Sequence, residues 1–336
     1  MRLMIGAAVF AVLGLNVGGT AAADDLATID IQEWEVPYEK SRPRDPFAES
    51  ENSVWFVGQK TGYLAHLDVM SGEFKKIDLK DGSGPHNLIV GSDGIVWYAG
   101  NRTALIGRYD PATEEIEEIP MPDPAARDPH TLVFDKGEEN IFFTLQGANM
   151  IGRMNIETRE VTLVNSKTER SRPYGIKVAP NGDVYVVLLG TNKMAHIDPD
   201  TMALTEIDLP REEARPRRME ITTNGRVWYV DYAKGYLGAY DPATEEFEEW
   251  AFPQGAEARP YGMASDASGT IWAVATGVDP NMFMGFDSET ETWVSATPVP
   301  SGGGTLRHMH YHEPSGAVWF GADTNTIGRA IVESAE

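Results

Sequence analysis

Three histidines lie close together near the C-terminus, in the stretch Arg307-His308-Met309-His310-Tyr311-His312. Alternate residues of a β-strand share one face, so the three imidazoles are expected to point the same way. Neighbouring members of such a set lie ~7 Å apart at Cα and can hold one metal ion, whereas the outer two are too far apart without a bend. His308 and His310 are therefore candidate metal ligands. The alternative is a buried, neutral and hydrogen-bonded His310.

The ligand types decide which metal such a site holds. Imidazole nitrogen suits Zn or Cu, whereas Mg²⁺ prefers oxygen ligands. A divalent metal such as Mg²⁺ therefore needs a carboxylate beside His308 and His310. Glu220, Asp231 and Asp323 are the candidates, and Glu220 is included in the predicted metal site.

A second set of chemically active side chains begins the first strand of successive repeat units. Each member follows a proline or, in the last unit, the arginine Arg307 that replaces it. Equivalent positions in a ring of repeats converge on its axis, where such groups form a ligand site on a rigid scaffold. The predicted catalytic residues are His308, Tyr261 and Arg217. The predicted substrate-binding residues are His86, His130, Tyr174 and Phe47.

Two further positions break the repeat pattern. His310 takes the place that other units give to apolar residues, namely Leu88, Leu132, Ile176, Met219 and Met263. Arg217 and Arg218 replace the Tyr-Gly pair of two other units. A guanidinium binds a carboxylate or phosphate through two parallel hydrogen bonds, so these arginines are expected either to bind such an anion or to pair with Glu220.

The repeat unit that must position these residues is clearest in residues 172–201. Three apolar runs are separated by turns at Pro180-Asn181-Gly182 and Gly190-Thr191-Asn192, and a fourth run follows at Leu204 to Leu209. Asn-Gly between apolar runs is typical of a hairpin, because both residues tolerate a positive φ. The pattern predicts a four-stranded antiparallel meander.

Seven copies of the unit follow one another along the chain. Their second-strand aromatics recur every ~42 to 47 residues, the period expected of propeller blades. These aromatics are Trp55, Trp97, Phe142, Tyr185, Trp228, Trp272 and Trp319. The last copy stops after its third strand, and the isolated run Ile31 to Pro37 resembles the fourth strand at Phe247 to Pro253. The sequence therefore predicts an all-β, seven-bladed propeller of four-stranded antiparallel blades, closed by the N-terminal strand that completes the last blade.

The chain ends and composition predict where the protein works. Arg2, the apolar run Leu3 to Val17 and Ala21-Ala22-Ala23 are typical of a signal peptide over residues 1–23, with residues 24–336 forming one propeller domain. A permanent membrane anchor is the alternative. Because the chain has no cysteine and a net charge of −23, we expect no disulfides and no nucleic-acid partner. We expect a bacterial periplasmic or secreted monomer with a small-molecule substrate and no membrane contact after cleavage.

Several motifs resemble the virginiamycin B lyase (streptogramin lyase) family. They are Pro85-His86, Pro129-His130, the Arg-Pro-Tyr-Gly runs at Arg172 and Arg259, and the Asn-x-Ile-Gly-Arg strands at Asn149 to Arg153 and Asn325 to Arg329. The resemblance implies a seven-bladed propeller that linearises a cyclic depsipeptide by elimination across an ester, with Mg²⁺ polarising the substrate and a histidine as base. It also implies two histidines on the last two blades, with a glutamate before the second. His308 matches the second, Tyr261 stands at the first, and Leu306 lies two residues before His308.

Three functions fit these residues. The first is a metal-assisted lyase for an ester or lactone, in which His308 removes a proton and a metal or Arg217 holds the enolate, with Tyr261 or Tyr174 assisting. The second is a lactonase-type hydrolase in which a metal-bound water attacks the substrate. The third is a propeller that binds a small molecule or a protein segment without turnover. Elimination leaves an unsaturated product, whereas hydrolysis leaves a hydroxy acid.

Overall fold

Short strands joined by tight turns make up the protein in the computed structural model, which describes residues 26–333. The turn after the strand Pro173–Val178 shows how the sequence specifies them. Gly182 has a φ of 97° there, and the Asn181 side chain accepts a hydrogen bond from the backbone N–H of Asp183 at 3.1 Å. The positive φ suits glycine, and the asparagine closes the turn, so the chain reverses into the next strand.

Each of the first six blades is a four-stranded antiparallel sheet with its strands in sequence order. Blade 1 is β2 (Pro43–Ser50), β3 (Ser53–Gly58), β4 (Tyr63–Asp68) and β5 (Glu73–Asp78). Blade 2 is β6 (Pro85–Val90), β7 (Val96–Gly100), β8 (Leu105–Asp110) and β9 (Glu115–Pro120). Blade 3 is β10 (Pro129–Phe134), β11 (Asn140–Leu145), β12 (Met150–Asn155) and β13 (Val161–Asn165). Blade 4 is β14 (Pro173–Val178), β15 (Val184–Leu188), β16 (Lys193–Ile197) and β17 (Leu204–Asp208).

The remaining blades follow the same plan. Blade 5 is β18 (Pro216–Ile221), β19 (Val227–Asp231), β20 (Tyr236–Asp241) and β21 (Glu246–Ala251). Blade 6 is β22 (Pro260–Ser265), β23 (Thr270–Ala275), β24 (Met282–Asp287) and β25 (Thr292–Pro298). Blade 7 is β26 (Leu306–His312), β27 (Ala317–Ala322), β28 (Thr326–Ile331) and the N-terminal strand β1 (Asp30–Glu35). Short 3-10 turns lie at Gly255–Ala258 and Glu313–Ser315.

The N-terminal strand closes the ring, as the sequence predicts. β1 pairs antiparallel with β28, and Trp34 lies opposite Ile327. The Trp34 ring stacks on Trp319 of β27 with the ring centroids 5.5 Å apart. The fold class is therefore confirmed, closing strand included. The predicted signal peptide lies outside the described residues.

Apolar side chains fill the space between neighbouring blades. The second strands are the most buried elements, and Trp228 and Trp319 are fully buried. The third-strand glycine of the Ile-Gly-Arg motif follows from packing within a blade, where it lies opposite an aromatic residue of the second strand. In blade 7 the Phe320 ring lies over Gly328, where a Cβ atom would overlap the ring. No helix among residues 26–333 is long and apolar enough to cross a membrane.

Candidate functional site

A β-bulge in every first strand determines which side chains meet at the ring axis. In blade 2, Pro85 lies opposite Gly100 and Leu88 opposite Tyr98, so three steps on the first strand match two on the second. The same shift occurs in the other six blades. In blade 7 the residue at the proline position is Leu306, opposite Ala322. In blade 1 it is Pro43, opposite Gly58.

Counting from the proline position defines three rings of equivalent residues. The first ring, one residue later, is Arg44, His86, His130, Tyr174, Arg217, Tyr261 and Arg307. The second ring, two residues later, is Asp45, Asn87, Thr131, Gly175, Arg218, Gly262 and His308. The third ring, four residues later, is Phe47, Ile89, Val133, Lys177, Glu220, Ala264 and His310.

This register corrects the predicted positions of three residues. His308 belongs to the second ring and Phe47 to the third, so neither shares a ring with His86 as predicted. The predicted alignment of His310 with the apolar core residues is also wrong, because Met309 takes that place and is 1% exposed. His310 instead stacks on Phe47, with the ring centroids 4.1 Å apart. The physical reason is that blade 7 begins at Leu306 rather than Arg307, and blade 1 begins at Pro43 rather than Pro46.

The five remaining catalytic and substrate-binding candidates do meet in the first ring, whereas the metal candidate Glu220 lies in the third. The imidazoles of His86 and His130 lie 3.6 Å apart, and the ring of Tyr174 lies 4.2 Å from His130. The hydroxyl groups of Tyr174 and Tyr261 share a hydrogen bond across the ring. The guanidinium of Arg217 lies 3.5 Å above the Tyr261 ring. The sequence therefore predicted a real cluster of imidazole, phenol and guanidinium groups.

Two more arginines and one carboxylate lie beside this cluster. Arg44 donates a hydrogen bond from Nε to Asp45 at 2.8 Å. Arg218 lies 3.5 Å from the same carboxylate and donates to the Thr131 hydroxyl at 3.0 Å. Asn87 also donates to Asp45, at 3.1 Å. Arg218 therefore makes an ion pair with Asp45, and the predicted alternative partner Glu220 pairs with Lys177 instead, at 2.7 Å.

Burial and the nearby arginines keep the first-ring histidines neutral. The pKa of His86 is lowered well below its usual value by burial and by Arg44, His130 and Arg218. The pKa of His130 is lowered well below its usual value by burial, Arg218 and Arg44. Each imidazole therefore has one nitrogen that donates and one that accepts a hydrogen bond at neutral pH.

The same arginines act in the opposite direction on a phenol. Burial alone raises the pKa of Tyr261, but the guanidinium groups of Arg217, Arg44 and Arg218 and the hydrogen bond from Tyr174 outweigh it. Together they lower the pKa of Tyr261 to about 8. The pKa of its partner Tyr174 is raised by burial and by the neighbouring phenol. One phenol of the pair is thus prepared to ionise near physiological pH while the other stays protonated.

The predicted metal ligands do not fit a cation. Burial, Arg218 and Lys177 lower the pKa of His308 well below its usual value, and burial and Lys177 lower that of His310 to about 3. A metal ion at these imidazoles meets the same positive charge that disfavours their protonation. Glu220 is already neutralised by Lys177. Among residues 26–333, no three His, Cys, Asp or Glu side chains are grouped to hold a metal.

Comparison with known proteins places the chain in a family. The model of the virginiamycin B lyase family matches residues 18–279. The chain belongs to the virginiamycin B lyase family. This confirms the resemblance seen in the sequence motifs. No curated protein matches the chain.

Solved structures of family members share the fold. The virginiamycin B lyase of Staphylococcus aureus is 19% identical with a TM-score of 0.81, covering 90% of this chain and 99% of that one. A streptogramin B lyase is 21% identical with a TM-score of 0.81, covering 93% and 99%. Outside the family, Kuenenia stuttgartiensis hydrazine synthase is 12% identical with a TM-score of 0.74, covering 89% and 98%. At these identities the likeness concerns the fold alone.

Sequence reasoning missed Arg44 and Asp45. A signal for them exists, because Arg42-Pro43-Arg44 repeats the tripeptide Arg215-Pro216-Arg217. The competing Asp45-Pro46-Phe47 resembles the start of blade 3 and hides this match. The buried carboxylate and the third arginine of the cluster therefore become evident only from the register.

Proposed function

We propose that the protein is a lyase that cleaves an ester or lactone by elimination, with Tyr261 as the base. The observation that carries the proposal is the position of this buried phenol among three guanidinium groups, which lowers its pKa to about 8. A base is most effective when its pKa lies near the working pH. The lyase family and its propeller support the reaction class, and the residues of this chain support the assignment of the base.

In the proposed step, the Tyr261 phenolate removes a proton from the carbon next to a carbonyl group. The released electron pair forms a double bond to the next carbon, and the bond from that carbon to the ester oxygen breaks. The leaving group departs as a carboxylate with the electrons of that bond, and the proton stays on Tyr261. The reaction consumes no water, so a cyclic ester opens to an unsaturated isomer.

The neighbouring residues have distinct roles in this step. The Tyr174 hydroxyl is hydrogen-bonded to the Tyr261 oxygen, and once Tyr261 is ionised Tyr174 must be the donor, which stabilises the phenolate. Arg217, stacked on the Tyr261 ring, stabilises the negative charge that develops on the substrate oxygens. The sequence predicts His308 as the base. Because its pKa is lowered well below the usual value, His308 is a weak proton acceptor, and the proposal gives the role to Tyr261.

The proposed reaction does not use a divalent metal. The resemblance implies Mg²⁺. A cation held by His308, His310 and Glu220 would be repelled by the positive charges of Lys177 and Arg218, and Lys177 already pairs with Glu220. The lactonase alternative depends on a metal-bound water and is disfavoured by the same charges. Binding without turnover is a second candidate. Tyr174 and Tyr261 are only 4% and 1% exposed, whereas the proposed elimination needs direct contact between the substrate and the Tyr261 oxygen.

A screen of esters and lactones tests the proposal. Each substrate carries its acyloxy group on the second carbon from a carbonyl, so that elimination creates a conjugated double bond that absorbs ultraviolet light. We expect the wild-type protein to form this product at a rate that rises through about pH 8, as Tyr261 ionises. Tyr261→Phe should abolish product formation, whereas Tyr174→Phe, the matched loss of one hydroxyl, should lower the rate. Binding without product, or full turnover by Tyr261→Phe, would overturn the proposal.

A further inference from the structure

Positive charge exceeds negative charge at the centre of the ring. Arg44 and Arg218 are 3% and 2% exposed, and Asp45 is fully buried. In the described part of the chain, Asp45 is the one carboxylate that forms an ion pair with any of Arg44, Arg217 and Arg218. Three guanidinium groups and one carboxylate leave two uncompensated positive charges. Arg44 and Arg218 are buried, and a buried charge is costly unless it is paired, so this excess favours the binding of another anion.

The other cations near the axis are already paired, which leaves the excess on this cluster. Arg307 of the first ring forms a double hydrogen bond with Asp323. Lys177 of the third ring pairs with Glu220 at 2.7 Å.

The three arginines also have donors without a partner. Arg44 Nη2 and Arg217 Nε are buried and have no hydrogen-bond acceptor among residues 26–333, and Arg218 Nη2 makes no hydrogen bond there and meets the Asp45 carboxylate only at 3.5 Å. Unpaired buried donors carry a desolvation penalty that an acceptor would remove. Since the donors belong to one cluster, a single acceptor group near it would relieve both the charge excess and the missing hydrogen bonds.

We propose that the ligand of this site carries an oxyanion group, a carboxylate or a phosphate, which Arg217 binds. Of the three arginines, Arg217 is partly exposed, whereas Arg44 and Arg218 are buried. A guanidinium fork matches the oxygens of either group. This inference rests on the proposed function, because it assigns the substrate class to the same site. It adds that a charged ester is bound and that a neutral ester of the same shape is not.

The charge balance further predicts a monoanion when Tyr261 is ionised. Two uncompensated positive charges minus one phenolate leave one positive charge for the ligand. The phenolate and the bound anion share the same arginines, so each weakens the other. Binding of an anion must therefore raise the pKa of Tyr261, and ionisation of Tyr261 must weaken binding of the anion by the same factor.

Calorimetric titration with acetate and with inorganic phosphate, at constant ionic strength, tests the inference without any turnover. We expect one anion to bind per chain and Arg217→Gln to weaken binding at least tenfold. Arg217→Lys, which keeps the charge and loses the fork, should fall between. Arg172→Gln, an exposed arginine just before the proline of blade 4, is the matched control and should bind like the wild type. A preference for acetate or for phosphate identifies the natural group.

Two outcomes separate this inference from the proposed function. No anion binding, or equal binding by Arg217→Gln, overturns the inference, even if a tyrosine with a low pKa is present. Anion binding with no tyrosine that ionises near pH 8 supports the inference and overturns Tyr261 as the base. Thermal unfolding of each variant shows whether it is folded, and the Arg217→Lys protein provides a second comparison if Arg217→Gln does not fold.

Discussion

Replacing Arg217 by glutamine should raise the pKa of Tyr261, because it removes the first of the three guanidinium groups that lower it. The guanidinium carbon lies 3.5 Å from the ring centre. Two unit charges about 4 Å apart interact by about 4 kcal/mol at an effective dielectric constant of about 20, equivalent to a pKa difference of about 3. Arg217 is partly exposed and thus screened, so we expect the pKa to rise by about 1 to 2.

Ultraviolet titration of tyrosinate measures this change directly. The chain has 12 tyrosines, and burial raises the pKa of many of them, including Tyr185 and Tyr311, each to about 12. One tyrosine should therefore ionise near pH 8, well before those buried groups. Tyr261→Phe should remove this early step, and Arg217→Gln should move it to higher pH. An early step that persists in Tyr261→Phe, or no early step in the wild type, would refute the reasoning.

Three further predictions concern stability. Burial and arginines lower the folded-state pKa of His86 and His130, so below about pH 6.5 the unfolded chain binds protons that the folded chain does not. The denaturation midpoint should therefore decrease as the pH is lowered below that value, and it should decrease less steeply in His86→Gln. A midpoint that does not change with pH would contradict this. Deletion of residues 24–40 removes β1 and should abolish cooperative unfolding, which circular dichroism detects; a stable truncated protein would argue against closure by this strand. Gly328→Ala forces a Cβ atom into the Phe320 ring and should lower the free energy of unfolding in urea by about 2 kcal/mol or more. Gly137→Ala, at an exposed turn glycine without a close contact, is the control and should change it little.

The repeat pattern in the sequence is sufficient to predict the ring and its closure. The second-strand aromatics recur in every unit, and Ile31 to Pro37 has a clear counterpart in blade 5. Both signals are periodic, and a propeller imposes the same environment on every copy. The fold could therefore be read without any knowledge of individual contacts.

The composition of the site depends on a feature that sequence periodicity does not reveal. The bulge places two consecutive residues of each first strand near the axis, so an error of one residue moves a side chain to another ring. His308 was displaced for this reason, whereas Phe47 was displaced and Arg44 missed because Pro46 was taken for the blade start in place of Pro43. His86, His130, Tyr174, Arg217 and Tyr261 were found because each directly follows an unambiguous proline. Their pKa values follow from burial and from arginines on other blades, which no local sequence pattern shows.

The measurement that tests the central claim most directly is the mass of the product formed from a cyclic ester that the ultraviolet screen identifies as a substrate. Elimination by Tyr261 predicts an open-chain product with the mass of the substrate, formed equally well after treatment with a metal chelator and absent with Tyr261→Phe. A product heavier by one water, or conversion that the chelator stops, would contradict the account.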